Sequence, residues 1–180
     1  RKKILLGEVK AGTIYDAEKF SGSSELLYKN NRNKFFENFG VDKLINSIKK
    51  MDNNILKLDS NFPKGKVYEV FPCIIVFDNS FQTALMPDSF NNRFQELLKE
   101  FFIKKVTIKP LTLIHINDLE RLEEILKIEP KKIWDLLKIN HKDKRFAPVL
   151  YNTINEQTLG RKYPTRIMDL FKTLHNKFSD

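Results

Sequence analysis

Ile4-Leu5-Leu6 opens the chain as an apolar run and passes into Gly7-Glu8-Val9-Lys10, which predicts a strand over Lys3 to Lys10 that emerges into polar surroundings at its end. From Ala11 to Gly40 the pattern breaks up. Gly12, Ser21-Gly22-Ser23-Ser24 and Asn30-Asn31 interrupt short apolar pieces, so a loop or flap beside the strand end is expected. Val41, Leu44, Ile45, Ile48, Met51 and Ile55 then recur at three- and four-residue steps, with Lys43, Lys49, Lys50 and Asp52 between them: an amphipathic helix that packs on a sheet. After a turn at Phe62-Pro63-Lys64-Gly65-Lys66, Val67 to Asp78 is almost continuously apolar, as in a strand covered on both faces. Pro72 asks for a bulge or a strand start within it. Ser89 is placed to cap a helix that carries Phe90, Phe94, Leu97, Leu98, Phe101 and Phe102 on its buried side. Val106 to Ile116 reads as a further strand, restricted at Pro110. Asn117-Asp118-Leu119-Glu120 has the form of a capping box ahead of Leu119, Leu122, Ile125 and Leu126.

Strands alternating with helices give parallel neighbours joined by helical crossovers, so the core is expected to be α/β. Pro130 and Pro164 look like first-turn prolines of two further helices, with Ile133, Trp134, Leu136 and Leu137 on one apolar face and Ile167, Leu170, Phe171, Leu174 and Phe178 on the other. The expected division is an α/β core over residues 1–128 and a basic helical extension, residues 129–180, packed on it. The chain starts Arg1-Lys2-Lys3 and enters a strand at once, which suggests an upstream segment, a missing domain or a larger assembly.

Composition adds a polarity to this outline. With 180 residues and 41% hydrophobic content the chain can bury a substantial core. The formal charge of +9 is uneven: +5 over residues 1–70, −2 over 71–130 and +6 over 131–180. Two basic segments around a near-neutral middle would concentrate a polyanion, nucleic acid and DNA in particular, through its phosphates. Because 25 of the 32 basic residues are Lys, which lacks the bidentate geometry of Arg, a merely solvated surface would look much the same. The single Cys73 lies in the long apolar run, where it is expected to be a buried small hydrophobe in a reducing, cytoplasmic setting. No apolar stretch approaches the roughly 20 residues that span a bilayer, and no signal peptide is visible, so a soluble protein without a membrane partner is expected.

The candidate chemistry lies at the end of the first strand. Residues two apart in a strand share a face, so Glu8 and Lys10 should point together and Val9 back into the core. A carboxylate there can bind Mg²⁺ (or Mn²⁺), with the Val9 carbonyl as a second ligand, and the ammonium can orient a water and stabilise charge on a phosphate under attack. Acid-x-Lys is a common tripeptide; its other copy, Glu129-Pro130-Lys131, sits at a helix start and lacks the strand context.

The strand with Glu8-Val9-Lys10, the helix from Val41 to about Leu56 and the strand from Val67 to Asp78 together resemble the PD-(D/E)XK nuclease superfamily over roughly residues 3–126. The resemblance implies a restriction-endonuclease-like mixed sheet flanked by helices. It implies a metal-dependent endonuclease or phosphodiesterase of DNA or RNA, with Glu8 as metal ligand and Lys10 positioning the attacking water. That family carries another metal-binding Asp on the preceding strand. No Asp precedes Glu8 here; Asp16 or Glu18 could supply a carboxylate from the flap, although each reads first as a solvated loop acid. Many relatives carry a Gln in the following helix, where this chain has Lys43, Asn46 and Ser47. An inactive nuclease-like module that binds nucleic acid or a partner protein is the alternative. A structural domain whose lysines serve solubility is the third.

Lys43, Lys142, Lys144 and Arg145 are the candidate phosphate contacts. His115, His141 and His175 lack ligand-like spacing and read as structural or surface histidines. Asp78 reads as a turn-forming acid, and the Phe-rich helix as core rather than base-stacking surface.

Overall fold

The computed structural model describes residues 2–13, 29, 40–53, 68–82, 86–142, 150, 153, 154 and 173. Along them run β1 (Lys2–Lys10), α1 (Val41–Asp52), β2 (Tyr68–Val76), a 3-10 turn (Asn79–Gln82), α2 (Met86–Lys99), β3 (Val106–Ile108), β4 (Thr112–His115), α3 (Ile116–Ile128) and α4 (Lys132–Lys142). The protein is α/β, with a four-stranded sheet flanked by helices. The three described strand pairings are all parallel, where the sequence suggested a mixed sheet.

β2 is the central strand. β1 pairs along its full length, from Lys2 opposite Tyr68 to Lys10 opposite Val76. β3 and β4 share its other side, and two prolines explain why they are separate strands. Val70 lies opposite Ile108 and Cys73 opposite Thr112, so Phe71 and Pro72 face the three residues Lys109, Pro110 and Leu111. This is a bulge of one residue. Neither proline has an N–H to donate, and the interruption falls where those donors are missing; the Lys109 N–H still reaches the Val70 carbonyl at 2.9 Å. The irregularity expected from Pro72 is thus carried by the neighbouring strand.

Right-handed crossovers that step in one direction across a parallel sheet place their helices on one face. α1 and α2 accordingly cover the same face, burying Val41, Leu44, Ile45, Ile48, Phe90 and Phe94 against Val70, Ile74 and Val76. α3 and α4 cover the other face. There Leu122, Ile133, Leu136 and Leu137 close over Phe71, Cys73 and Ile114, together with Leu150 and Ile154. The described part of the expected helical extension therefore shares a continuous core with the sheet.

Several local expectations shift. α2 starts at Met86, so Ser89 lies inside it rather than at its cap; Pro87, in the first turn where no intrahelical acceptor exists, is the better start signal. α3 is capped by His115, not Asn117: the Asn117 N–H donates to His115 Nδ1 at 3.2 Å, and the His115 N–H donates to Asp118 Oδ2 at 3.2 Å. Phe102 leaves the helical pattern, since α2 ends at Lys99, and it is 84% exposed.

Candidate functional site

β1 borders the described sheet, and among the described residues only one of its faces is covered. Ile4 and Leu6 lean on the core beneath α1 and α2. Glu8 and Lys10 continue that row at the strand's carboxyl end. Val9 points the other way and is 58% exposed, and Leu5 is also exposed, so the expectation that Val9 faces the core is corrected. The reason is lateral: the α3 and α4 layer lies over β2 and β4, and it reaches β1 near Lys3, whose Nζ is 5.9 Å from the Trp134 ring centroid.

The amino end of α1 arrives over Glu8 and Lys10. Gly40, at φ 89°, makes that approach possible. A Cβ at this position would overlap Glu8 Cγ and stand 3.2 Å from Lys10 Cε. The left-handed conformation and the missing side chain are both required, which explains a glycine directly before an amphipathic run. Sequence reasoning missed Gly40 as a site residue, although that placement was a visible signal. No side chain among the described residues caps α1, and its first N–H groups and the positive end of its dipole lie beside the pair.

Lys10 Nζ stands 2.9 Å from Glu8 Oε1, and Lys43 Nζ, from the first turn of α1, stands 3.4 Å from the same oxygen. The Glu8 and Lys10 side chains are 25% and 18% exposed; Lys43 is 68% exposed. Burial alone would raise the Glu8 carboxyl, but hydrogen bonding and charge from Lys10, and then from Lys43, outweigh it and hold the group below its ordinary range. An ion pair is not in itself a mark of function: Glu69 and Lys109, at 2.8 Å, form a similar one. Glu8 differs from Glu69 in its place: it lies at the carboxyl end of β1, whereas Glu69 lies at the start of β2.

Of the other candidates, Asp78 accepts from the Ser80 N–H and hydroxyl at 2.9 and 2.7 Å, the work of a turn-forming acid. His115 is buried. Its Nδ1 accepts from Asn117, so Nε2 carries the proton and donates to the Phe77 carbonyl at 2.9 Å, tying the ends of β2 and β4 together. Burial pushes the Asp118 carboxyl up, and its Oδ1 has no partner among the described residues. His141 meets the Thr112 hydroxyl at 2.7 Å, and burial, then the charge of Lys109, lowers it to about 4. Burial alone pushes the Cys73 thiol up to about 12. Lys142 is exposed at the end of α4, on the opposite face from Lys43. Asp16, Glu18, Lys144, Arg145 and His175 lie outside the described residues.

Among the described residues no group of three or more His, Cys, Asp or Glu side chains is placed to hold a metal ion, and no helix is long and apolar enough to cross a membrane. At the strand end the acidic donor is the Glu8 carboxylate, whose Oε1 is met by both Lys10 and Lys43. Mg²⁺ keeps most of its octahedral shell as water and substrate phosphate and takes one or two protein carboxylates, so a single carboxylate is at its lower limit. No protein-family model, curated protein or solved structure matches the chain.

Proposed function

We propose that the protein is a nuclease-like domain that handles a phosphodiester of DNA or RNA at the carboxyl end of β1, with metal-dependent hydrolysis as its activity. The observation that carries this reading is the convergence of Glu8, Lys10 and Lys43 at the amino end of α1. Two ammonium groups and a helix amino end surround the Glu8 carboxylate, and although Asp42 in the first turn of α1 offsets part of that charge, the balance favours an anion of phosphate type. Glu8 and the Val9 carbonyl would hold Mg²⁺, which when bound supplies charge neutralisation at the phosphate and a more acidic water. Lys10, braced by Glu8, orients the attacking water and meets charge that grows on the phosphate oxygens. Lys43, more exposed, draws the substrate strand toward the site. The nuclease resemblance seen in Glu8-Val9-Lys10 and in the order strand, helix, strand agrees with this division of roles.

A second reading is favoured by one specific feature. Both lysines approach the same Glu8 oxygen, so Glu8 can act as a strut for two phosphate-binding ammonium groups in a module that binds without cutting. Cleavage of labelled single-stranded and duplex DNA and RNA, with Mg²⁺ or Mn²⁺, separates the two. The nuclease reading expects cleavage that falls about a hundredfold or more in folded Glu8→Ala and Lys10→Ala variants. Cleavage that survives both substitutions, or binding with no cleavage of any substrate, rejects it.

A further inference from the structure

At the far end of α1 the loop joining α2 to β3 holds an aromatic ring out into solvent. Phe102 is 84% exposed, an unusual position for a large apolar side chain. The loop that carries it is pinned. Asp52, itself 8% exposed at the last residue of α1, accepts the backbone N–H of Lys104 at 3.1 Å and that of Lys105 at 2.5 Å. The Asp52 charge is therefore directed inward on the backbone, while the lysine side chains remain outside. Lys99, Lys104 and Lys105, within three residues of Phe102 in sequence, are exposed, and Lys50 is exposed on the last turn of α1. Lys104 Nζ lies 5.0 Å from the Phe102 ring centroid, and Lys49 Nζ lies 3.0 Å from that of Phe101. Among the described residues of this end of α2 and the loop, the exposed acids are Glu96, paired with Arg93, and Glu100.

We infer that this patch is a binding surface for single-stranded nucleic acid, in which Phe102 stacks on an unpaired base and Lys104, Lys105, Lys99 and Lys50 contact flanking phosphates. An exposed ring within a cluster of cations is the combination that sequence-tolerant single-strand sites use, because every base has a π-face and every nucleotide a phosphate. The buried Asp52 brace supplies the rigidity that such a platform needs. The inference rests on the reading that nucleic acid is the partner, and extends it to a second contact and a preferred strandedness. α1 links the two places. Its 12 residues span about 18 Å, so a strand that touched both the Glu8 end and the Phe102 end would stretch over about five stacked nucleotides.

The test is fluorescence anisotropy of a labelled oligo-dT and of a duplex of equal length, in EDTA, titrated with the whole protein across a range of NaCl. Phe102→Ala is expected to weaken oligo-dT binding about fivefold or more and leave duplex binding unchanged, with Phe102→Trp restoring it. Lys104→Gln with Lys105→Gln is expected to lower the slope of log K against log salt by about 1.4, since each single-strand phosphate that a lysine neutralises adds about 0.7. Unchanged oligo-dT affinity in Phe102→Ala, or an equal loss for the duplex, would overturn the stacking surface while leaving the phosphodiester reading intact. A protein that binds neither probe at low salt would overturn both.

Discussion

Adding one methyl group at Gly40 should be costly, and the cost can be divided. At φ 89° a residue with a Cβ is disfavoured by about 1–2 kcal/mol, of which about 0.4–1 kcal/mol is offset because alanine has less conformational freedom to lose on folding. The new methyl would also overlap Glu8 Cγ and lie 3.1 Å from Glu8 Cβ and 3.2 Å from Lys10 Cε, so β1 or the start of α1 must shift. Crowding of that kind in a packed place costs about 1–3 kcal/mol. The net loss for Gly40→Ala is then on the order of 2 kcal/mol, which for a chain of this length lowers Tm by about 4–8 °C. Urea denaturation of four proteins isolates the steric part: the parent, Gly40→Ala, Glu8→Ala and the double variant. Glu8→Ala removes the atom that the new methyl meets, so Gly40→Ala should cost at least about 1 kcal/mol less in that background. Equal cost in both backgrounds, or no cost at all, would refute the close approach of α1 to Glu8.

Three further outcomes follow from the same structure. Asp52→Ala removes a buried carboxylate that holds two backbone N–H groups, and it should destabilise by about 2–3 kcal/mol in urea titration, with Asp52→Asn losing less. His141 has a folded pKa of about 4, below its ordinary value of 6.5. The unfolded chain therefore takes up a proton that the folded chain refuses. His141's contribution is fully present above about pH 6.5, declines as pH falls toward 4, and levels off below that; His141→Gln should flatten this part of a stability-against-pH curve. Cys73, fully buried with its thiol pushed up to about 12, should resist iodoacetamide at pH 8 in the native protein and react on unfolding in urea; rapid native labelling would contradict its burial.

Much of the architecture was legible because burial on both faces leaves a plain trace. The helix of Val41, Leu44, Ile45, Ile48 and Met51 formed on its predicted face, and the long apolar run became the central strand. Pro72 and Pro110 announced an irregularity, and only the pairing of the two strands could say on which of them it would fall. What failed depended on neighbours distant in sequence. Ile4-Leu5-Leu6 is apolar toward both faces, so the strand itself could not say which side would be covered, and Val9 was turned the wrong way. Phe102 fits the helical period of α2, but the chain leaves that helix after Lys99 and is held by Asp52, 52 residues before Lys104. His115 became a cap because its ring can accept from a backbone N–H, a role that asparagine fills more often. That Glu8 and Lys10 share a face follows from the strand's period of two alone. Lys43, picked out separately as a phosphate contact, joins them because Gly40 lets its helix start against the strand.

The most direct test of the Glu8 site is Mn²⁺ titration followed by electron paramagnetic resonance, with a phosphorothioate oligonucleotide present, on the parent, Glu8→Gln and Lys10→Gln. The expected result is a Mn²⁺ site that weakens tenfold or more in Glu8→Gln and is kept or strengthened in Lys10→Gln, where a competing ammonium has been removed. Equal Mn²⁺ affinity in the parent and Glu8→Gln would contradict the assignment of Glu8 as a metal ligand and leave it as a strut for Lys10 and Lys43.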